Sequence, residues 1–490
     1  MKEEYKYFIQ GPASLVLKVE EEFGAAEIAI TLDHEGIDAS PFYFDDHNVK
    51  NQAKLSYFIE DAVDQKINLS LDDCPPVDAE IISKMRECET IFLKQADRFL
   101  SSCYQERKDR YLQYLRTWNY LLDARLDFAI FQNIPHKGFD YIIYCLCKLK
   151  GIQTFCFYAL PIRPNKGVML HMLQDIREPG RDIFENFKKI SESSADININ
   201  ASTLLHYYDD LANPEEDFLS FTRAEKNTMG SLGLLGKLVK KFAHAFLSMN
   251  ISTLPYRMRR AIKNYIFYDR YFMPIHRFNR EYSKISVTPQ LDEQYIYFPM
   301  HFQPEASTSP LAGEFVDLLL IIQMLSYHAG PNIKIYVKEH PRQGLSSKSI
   351  HFLKDALKCS NVVFINNEVH TGKVIENSLA IATCSGSAGI EGLLRKKPIL
   401  MFGNRFYQYA PGVFQIRCNK DLQSALTQIS ADNFFIDIDA VKLFLKSADP
   451  FIFPGFITPK DVVLSKVSLE RTSENMINAI NTALIGNLHD

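Results

Sequence analysis

From residue 294 to 402 short apolar runs alternate with helical segments, and that alternation limits what the chain can fold into. Residues 294–299, 333–337, 362–365, 379–383 and 398–402 read as strands. Residues 311–329, 347–358, 371–377 and 387–395 read as the helices between them. Near-continuous apolar strands joined through helices are parallel and buried on both faces. The expectation is an α/β fold, a doubly wound parallel sheet.

A chain of 490 residues exceeds one hydrophobic core, so a second domain is expected. Residues 7–10, 26–32 and 41–44 have strand-like composition, and 76–122 is strongly helical. A strand at 128–131, a helix at 139–150 stopped by Gly151, and a strand at 153–158 make a parallel βαβ unit. Residues 182–282 read as mainly helical. The polar, proline-containing stretch 283–292 reads as a linker. The tail from Pro450 is loop-rich and ends in a helix near 472–484.

Composition excludes several functions. Hydrophobic content of 46% with 23% charge describes a soluble globular protein, and a net charge of −4 gives no case for nucleic acid. The N-terminus lacks a basic region followed by an apolar core, and no apolar run reaches the length of a membrane span. A cytoplasmic protein with reduced thiols is expected. Its nine cysteines include no CxxC pair, so no zinc site is expected. A basic stretch from Lys237 to Lys284 is interleaved with Tyr256, Tyr265, Phe267 and Tyr268. It reads either as a surface for an anionic membrane or glycan, or as a solvated helix face whose aromatics enter the core.

Ligands of an open parallel sheet sit at the carboxyl ends of its strands, and three segments fall there. After the fourth strand, Ser385, Gly386, Ser387, Ala388 and Gly389 open a helix without a bulky side chain. Free N–H groups and the positive dipole end favour an anion there. The same residues also read as an ordinary strand–helix turn with a serine cap. After the second strand, Lys338, His340, Pro341 and Arg342 offer cationic donors beside a fixed turn. After the first, Gln303, Glu305, Ser307 and Thr308 suit a base or ribose, or a helix cap. Phe406, Tyr407 and Tyr409 read equally as pocket walls and as core packing.

The motifs FPMHFQPEAST, KEHP, SGSAGIEGLLRKKP and MFGNRFYQYAPG, with FQNIPHKGFDYIIY earlier, resemble the bacterial capsule-polysaccharide-synthesis family, which includes Kdo transferases of the GT-B fold. The resemblance is strongest over residues 295–412 and 130–144. It implies two Rossmann-like domains facing a cleft, the first with large helical insertions. Residues 1–285 would be the acceptor-side domain, 292–450 the nucleotide-sugar-binding domain, and 451–490 a tail and helix. It also implies a glycosyltransferase moving a nonulosonic acid from a CMP-sugar to a glycan or glycolipid acceptor, peripheral at the inner face of the inner membrane. In similar transferases a His-Pro motif and a Ser-rich helix start hold the CMP phosphate. Here these are His340-Pro341 and Ser385/Ser387, with Glu391 one turn on.

The residues fit that chemistry. A helix N-terminus, His340 and nearby Lys338 or Arg342 stabilise a departing phosphate without cofactor or metal. Asp437 and Asp439 match an Asp-x-Asp pattern but read as a helix cap. The acceptor hydroxyl needs a base or a nucleophilic partner from the first domain. His136 and Asp140, four apart at one helix start, are the candidates, with Asp45, Asp46 and His47 second. A transferase using a UDP- or GDP-sugar, a related epimerase, and a non-catalytic capsule assembly or export protein are the competing classes.

Overall fold

The computed structural model describes residues 5–32 (without 12, 25 and 27), 47–50, 74–99, 104–122, 126–215 (without 164–165, 194–196 and 214), 273–457 (without 304, 342 and 344–347) and 462–487. Among these residues two sheets form. The strands are β1 (Tyr7–Gly11), β2 (Ile28–Leu32), β3 (His47–Lys50), β4 (Phe128–Phe131), β5 (Gln153–Ala159), β6 (Met169–Leu173), β7 (Tyr295–Pro299), β8 (Lys334–Lys338), β9 (Val362–Phe364), β10 (Ala380–Thr383), β11 (Ile399–Met401), β12 (Val413–Gln415) and β13 (Ile452–Pro454).

The second sheet runs β12-β11-β10-β7-β8-β9, with every pairing parallel. Relabelled from its first strand, this is the doubly wound dinucleotide-fold order, and the winding reverses between β7 and β10. The expected alternation is present, with helices at Leu318–Ala329, Ile350–Ala356, Thr371–Asn377 and Ser387–Leu394. The linker forms later than expected, because helix Met273–Ile285 continues to Ile285. Val287 then bridges to Ile365 in parallel, stitching the connection to the sheet it enters.

The first sheet runs β13-β6-β5-β4-β1-β2-β3. Its four central strands are parallel, so the expected βαβ unit is there. The three pairings outside them, β13–β6, β6–β5 and β2–β3, are antiparallel. β6 and β13 have no counterpart in the sequence reading. β13 brings the chain from the second domain back to the first sheet, pairing Ile452 with His171 and Phe453 with Leu170. Two Rossmann-like sheets joined this way are a GT-B-like architecture.

The core of the first sheet is aromatic. Tyr7 stacks on Phe128 at 5.2 Å between ring centroids, and Phe8 meets Trp118 edge-on at 6.1 Å. The same core runs on into the face of the second sheet carrying Tyr295, Tyr297 and Tyr407. A separate cluster, with Ile321, Ile335 and Phe402, fills the opposite face.

The two halves dock through fitted contacts. Gly180 has φ +84°, and a Cβ there would lie 2.1 Å from the Phe406 carbonyl oxygen, so only glycine fits. Phe184 stacks on Tyr409 at 4.9 Å. The buried Arg395 guanidinium donates to the carbonyls of Leu211, Gly372 and Asn213.

The proposed strand at 41–44 and the candidates Asp45 and Asp46 lie outside the described residues, as does the basic segment before residue 273. Of that segment, helix Met273–Ile285 exposes Arg277, Arg280 and Lys284 and buries Phe278 and Tyr282. In this helix the basic residues are a solvated face and the aromatics are core.

Candidate functional site

The carboxyl ends of β7, β8 and β10 converge on a cavity of about 280 Å³. It sits where the winding of the second sheet reverses, the place where an open α/β sheet leaves a crevice. Its lining includes His301 and Ser307 from the end of β7, and Lys338, Glu339, His340 and Pro341 from the end of β8. Thr383, Ser385, Gly386, Ser387, Ala388 and Glu391 come from the end of β10, with Arg405 beyond β11 and Pro161 from the first domain.

The small-residue loop is held open by its own network. Gly386 is the N-cap of helix Ser387–Leu394, and no side chain caps that end. The serine-cap reading therefore does not hold. Ser385 instead donates its hydroxyl to the Ser307 carbonyl at 2.5 Å. The first turn of the helix, at Ser387 and Ala388, lines the cavity, where the N–H groups of a helix start seek an acceptor. Gly389 is needed for packing, since a Cβ there would lie 2.2 Å from the Tyr407 hydroxyl. That hydroxyl donates to the Gly386 carbonyl.

His301 was missing from the sequence candidates. It is buried, and its Nε2 accepts the Ser385 N–H at 3.1 Å and lies 3.3 Å from the Thr383 hydroxyl. The proton of the neutral ring is thereby assigned to Nδ1. Burial, with Lys348 and Arg405 adding repulsion, pushes the ring pKa down to about 3, so the ring is neutral. Nδ1 has no hydrogen-bond partner among the described residues. The ring is the strut of the loop, and His301 also lines the cavity.

At the end of β8, the Lys338 ammonium donates to the Val369 carbonyl and to the Thr371 hydroxyl at 3.1 Å, so its charge is held in place. Glu339 is a buried cavity residue whose carboxylate takes Lys348 at 3.0 Å through both oxygens. This pairing cancels the acid's charge, and the other ionisable side chains of the lining are Lys338, His340, Glu391 and Arg405. The His340 ring lies 5.5 Å from Phe302. Glu391 is buried and lines the cavity as expected. Arg342 lies outside the described residues.

Other candidates go elsewhere. Gln303 is buried, but its amide donates to the Val316 carbonyl at 2.7 Å and is absent from the lining. Glu305 caps a turn, its carbonyl accepting the N–H groups of Thr308 and Ser309 at 2.9 Å. Phe406 and Tyr407 are fully buried against Tyr208 and each other, so they are core and not pocket walls. His136 and Asp140 do not line the cavity either. His136 sets Nδ1 against the Ile134 carbonyl at 2.5 Å, and Asp140, in the first turn of its helix, accepts the Lys137 N–H at 2.7 Å. Burial raises the Asp140 pKa to about 6. Asp437 caps helix Ile438–Ser447, accepting from Asp439 and Ala440. Among the described residues no group of three His, Cys, Asp or Glu is placed to hold a metal, and no helix is long and apolar enough to cross a membrane.

Comparison with known proteins follows the site. No curated protein matches the sequence. Among solved structures, the chain is similar to the β-Kdo 2,7-transferase of Thermosulfurimonas dismutans KpsC, with 16% identity, 42% of this chain and 61% of that chain covered, and TM-score 0.25. It is also similar to the β-Kdo 2,4-transferase of the same KpsC, with 12% identity, 67% and 81% covered, and TM-score 0.29. Anabaena HepE in complex with UDP-glucose shares 9% identity, with 41% and 55% covered and TM-score 0.23. The chain thus spans 61% of the first of these proteins. Residues 306–433 match the family described as capsule polysaccharide biosynthesis protein. That stretch contains the end of β8, the small-residue loop and the loop after β11, and there the chain is similar to that family.

Proposed function

We propose that the protein is a glycosyltransferase that moves a nonulosonic acid, of the Kdo type, from a CMP-sugar to a growing surface polysaccharide or glycolipid. One observation carries the reading: the uncapped start of helix Ser387–Leu394 opens into the cavity beside His340, Pro341 and Lys338. A nucleoside monophosphate leaving group departs with charge on its phosphate, and prearranged donors stabilise that charge as it develops. On this reading the N–H groups at Ser387 and Ala388 receive the phosphate, with His340 and the fixed charge of Lys338 beside it. These are amino-acid donors, so the step is proposed without a metal or cofactor. The acceptor approaches from the side of Pro161, the first-domain wall of the cavity. Peripheral contact with an anionic membrane through the basic segment belongs to the same proposal.

Thermal-shift and calorimetric titration with CMP, UDP and GDP test it. A nucleotide at one hundred times its Kd stabilises the native state by about 2.7 kcal/mol. CMP is expected to raise Tm at lower concentration than UDP or GDP. Preference for UDP or GDP would overturn the donor assignment.

A further inference from the structure

The cavity contains a cation that the proposed phosphate seat does not use. Arg405 lies beyond β11 and lines the cavity together with the start of helix Ser387–Leu394. Its backbone is pinned in a turn, with Gln408 N–H donating to the Arg405 carbonyl at 2.9 Å and the Gln408 side chain accepting the Arg405 N–H at 3.3 Å. Its guanidinium carbon sits 5.0 Å from the ring centroid of Tyr158, on β5 of the other sheet. Stacking of this kind holds the guanidinium plane while leaving its N–H edge for a planar anion.

Among the described residues no side chain pairs with that edge. Among the described residues Arg405 forms no ion pair, and its Nε is buried without a hydrogen-bond partner. A buried donor left in this state costs free energy that a ligand can recover. The neighbouring His301 has the same deficit, with Nδ1 buried and unpartnered. Two residues that line one cavity, each with an unsatisfied donor, point to an oxyanion. A phosphate and a sugar carboxylate both supply that chemistry and both match the guanidinium fork in two parallel hydrogen bonds; with the phosphate at the helix start, the carboxylate is the group left for Arg405.

We infer that Arg405 binds the carboxylate of the donor sugar, with His301 as the second donor, and so selects an acidic sugar over a neutral one. The inference rests on the function proposed above and names the feature of the substrate that the cavity reads. It also explains why Arg405 is stacked on the first sheet, since a carboxylate so held sits between the two domains, where the sugar must lie to meet an acceptor.

Calorimetric titration of the full chain separates the sources of the anion. Wild type, Arg405→Gln and Arg405→Lys are each titrated with CMP, with CMP-N-acetylneuraminate and with CMP-Kdo made in situ. Melting curves confirm that the variants are folded, and Arg405→Lys keeps the charge without the fork. Wild type is expected to bind at least one acidic CMP-sugar more tightly than CMP. Arg405→Gln should lose about tenfold or more of that affinity, as expected for a charged hydrogen-bonded pair, while CMP alone changes little. Arg405→Lys should fall between. Equal loss for CMP and CMP-sugar would assign Arg405 to the phosphate and overturn the inference, as would no loss on either. Wild type that binds CMP but gains nothing from an acidic sugar overturns the inference and leaves the nucleotide reading standing. Wild type that prefers UDP or GDP in the nucleotide titration of the proposed function overturns both.

Discussion

The backbone N–H of Ser385 donates to Nε2 of His301 across 3.1 Å, tying the loop after β10 to the end of β7. The bond crosses the switch point of the second sheet and sets how wide the cavity opens. It also decides the ring's chemistry, because a nitrogen that accepts an N–H cannot carry a proton.

His301→Leu should therefore show two effects. At pH 7 it leaves the Ser385 N–H without its acceptor, at a cost of about 1–3 kcal/mol. The folded pKa lies near 3, against an ordinary value of 6.5, so the stability gained from the neutral ring is complete above about pH 6.5. That stability is lost as pH falls towards 3. The leucine variant should lose less Tm than wild type between pH 7 and pH 4. Identical acid profiles would show that the ring is not held neutral.

Asp140 should behave with the opposite sign. Its folded pKa of about 6 lies above the ordinary 3.8, so its contribution is present at low pH and lost as pH rises through that interval. Asp140→Asn keeps an oxygen for the Lys137 N–H and removes the titration. Its Tm should change less between pH 4 and pH 7 than that of wild type. If sugar transfer also collapses in this folded variant while CMP binding stays normal, Asp140 does more than accept the Lys137 N–H.

His340→Ala tests the phosphate seat. Losing a charge-assisted hydrogen bond to the donor phosphate costs about 1.5–3 kcal/mol of nucleotide affinity. Tm without ligand should hardly move. Unchanged CMP affinity in calorimetry would remove His340 from the site.

Gly180→Ala tests the docking of the two halves. The new methyl meets the Phe406 carbonyl and the backbone must leave φ +84°. Overpacking of this kind costs about 1–3 kcal/mol, and urea denaturation should report a loss in that range. A neutral result would mean that the domain contact is adjustable.

The sequence carried the second sheet well because its signal is local. A parallel strand buried on both faces is a continuous apolar run, and the small residues between β10 and the next helix are small wherever that loop packs. His340, Pro341, Ser385, Ser387 and Glu391 could be placed at strand ends for the same reason. Tertiary structure decided what depends on a distant partner. The edge strands β6 and β13 are defined by pairing between residues such as His171 and Ile452, which lie in different halves of the chain. Phe406 and Tyr407 have the same aromatic character in a wall or a core, and only Tyr208, Phe406's stacking partner, shows which it is. Gln303, Glu305, His136 and Asp140 are polar residues near strand ends, but none of them lines the cavity, and Gln303 bonds instead to Val316 while His136 and Asp140 bond to neighbours in their own loop. His301 acquires its role from Ser385, across two neighbouring strands of the second sheet, and Arg405 from Tyr158, on the other sheet, because no spacing along the chain encodes a hydrogen bond between distant strands or a stack between sheets.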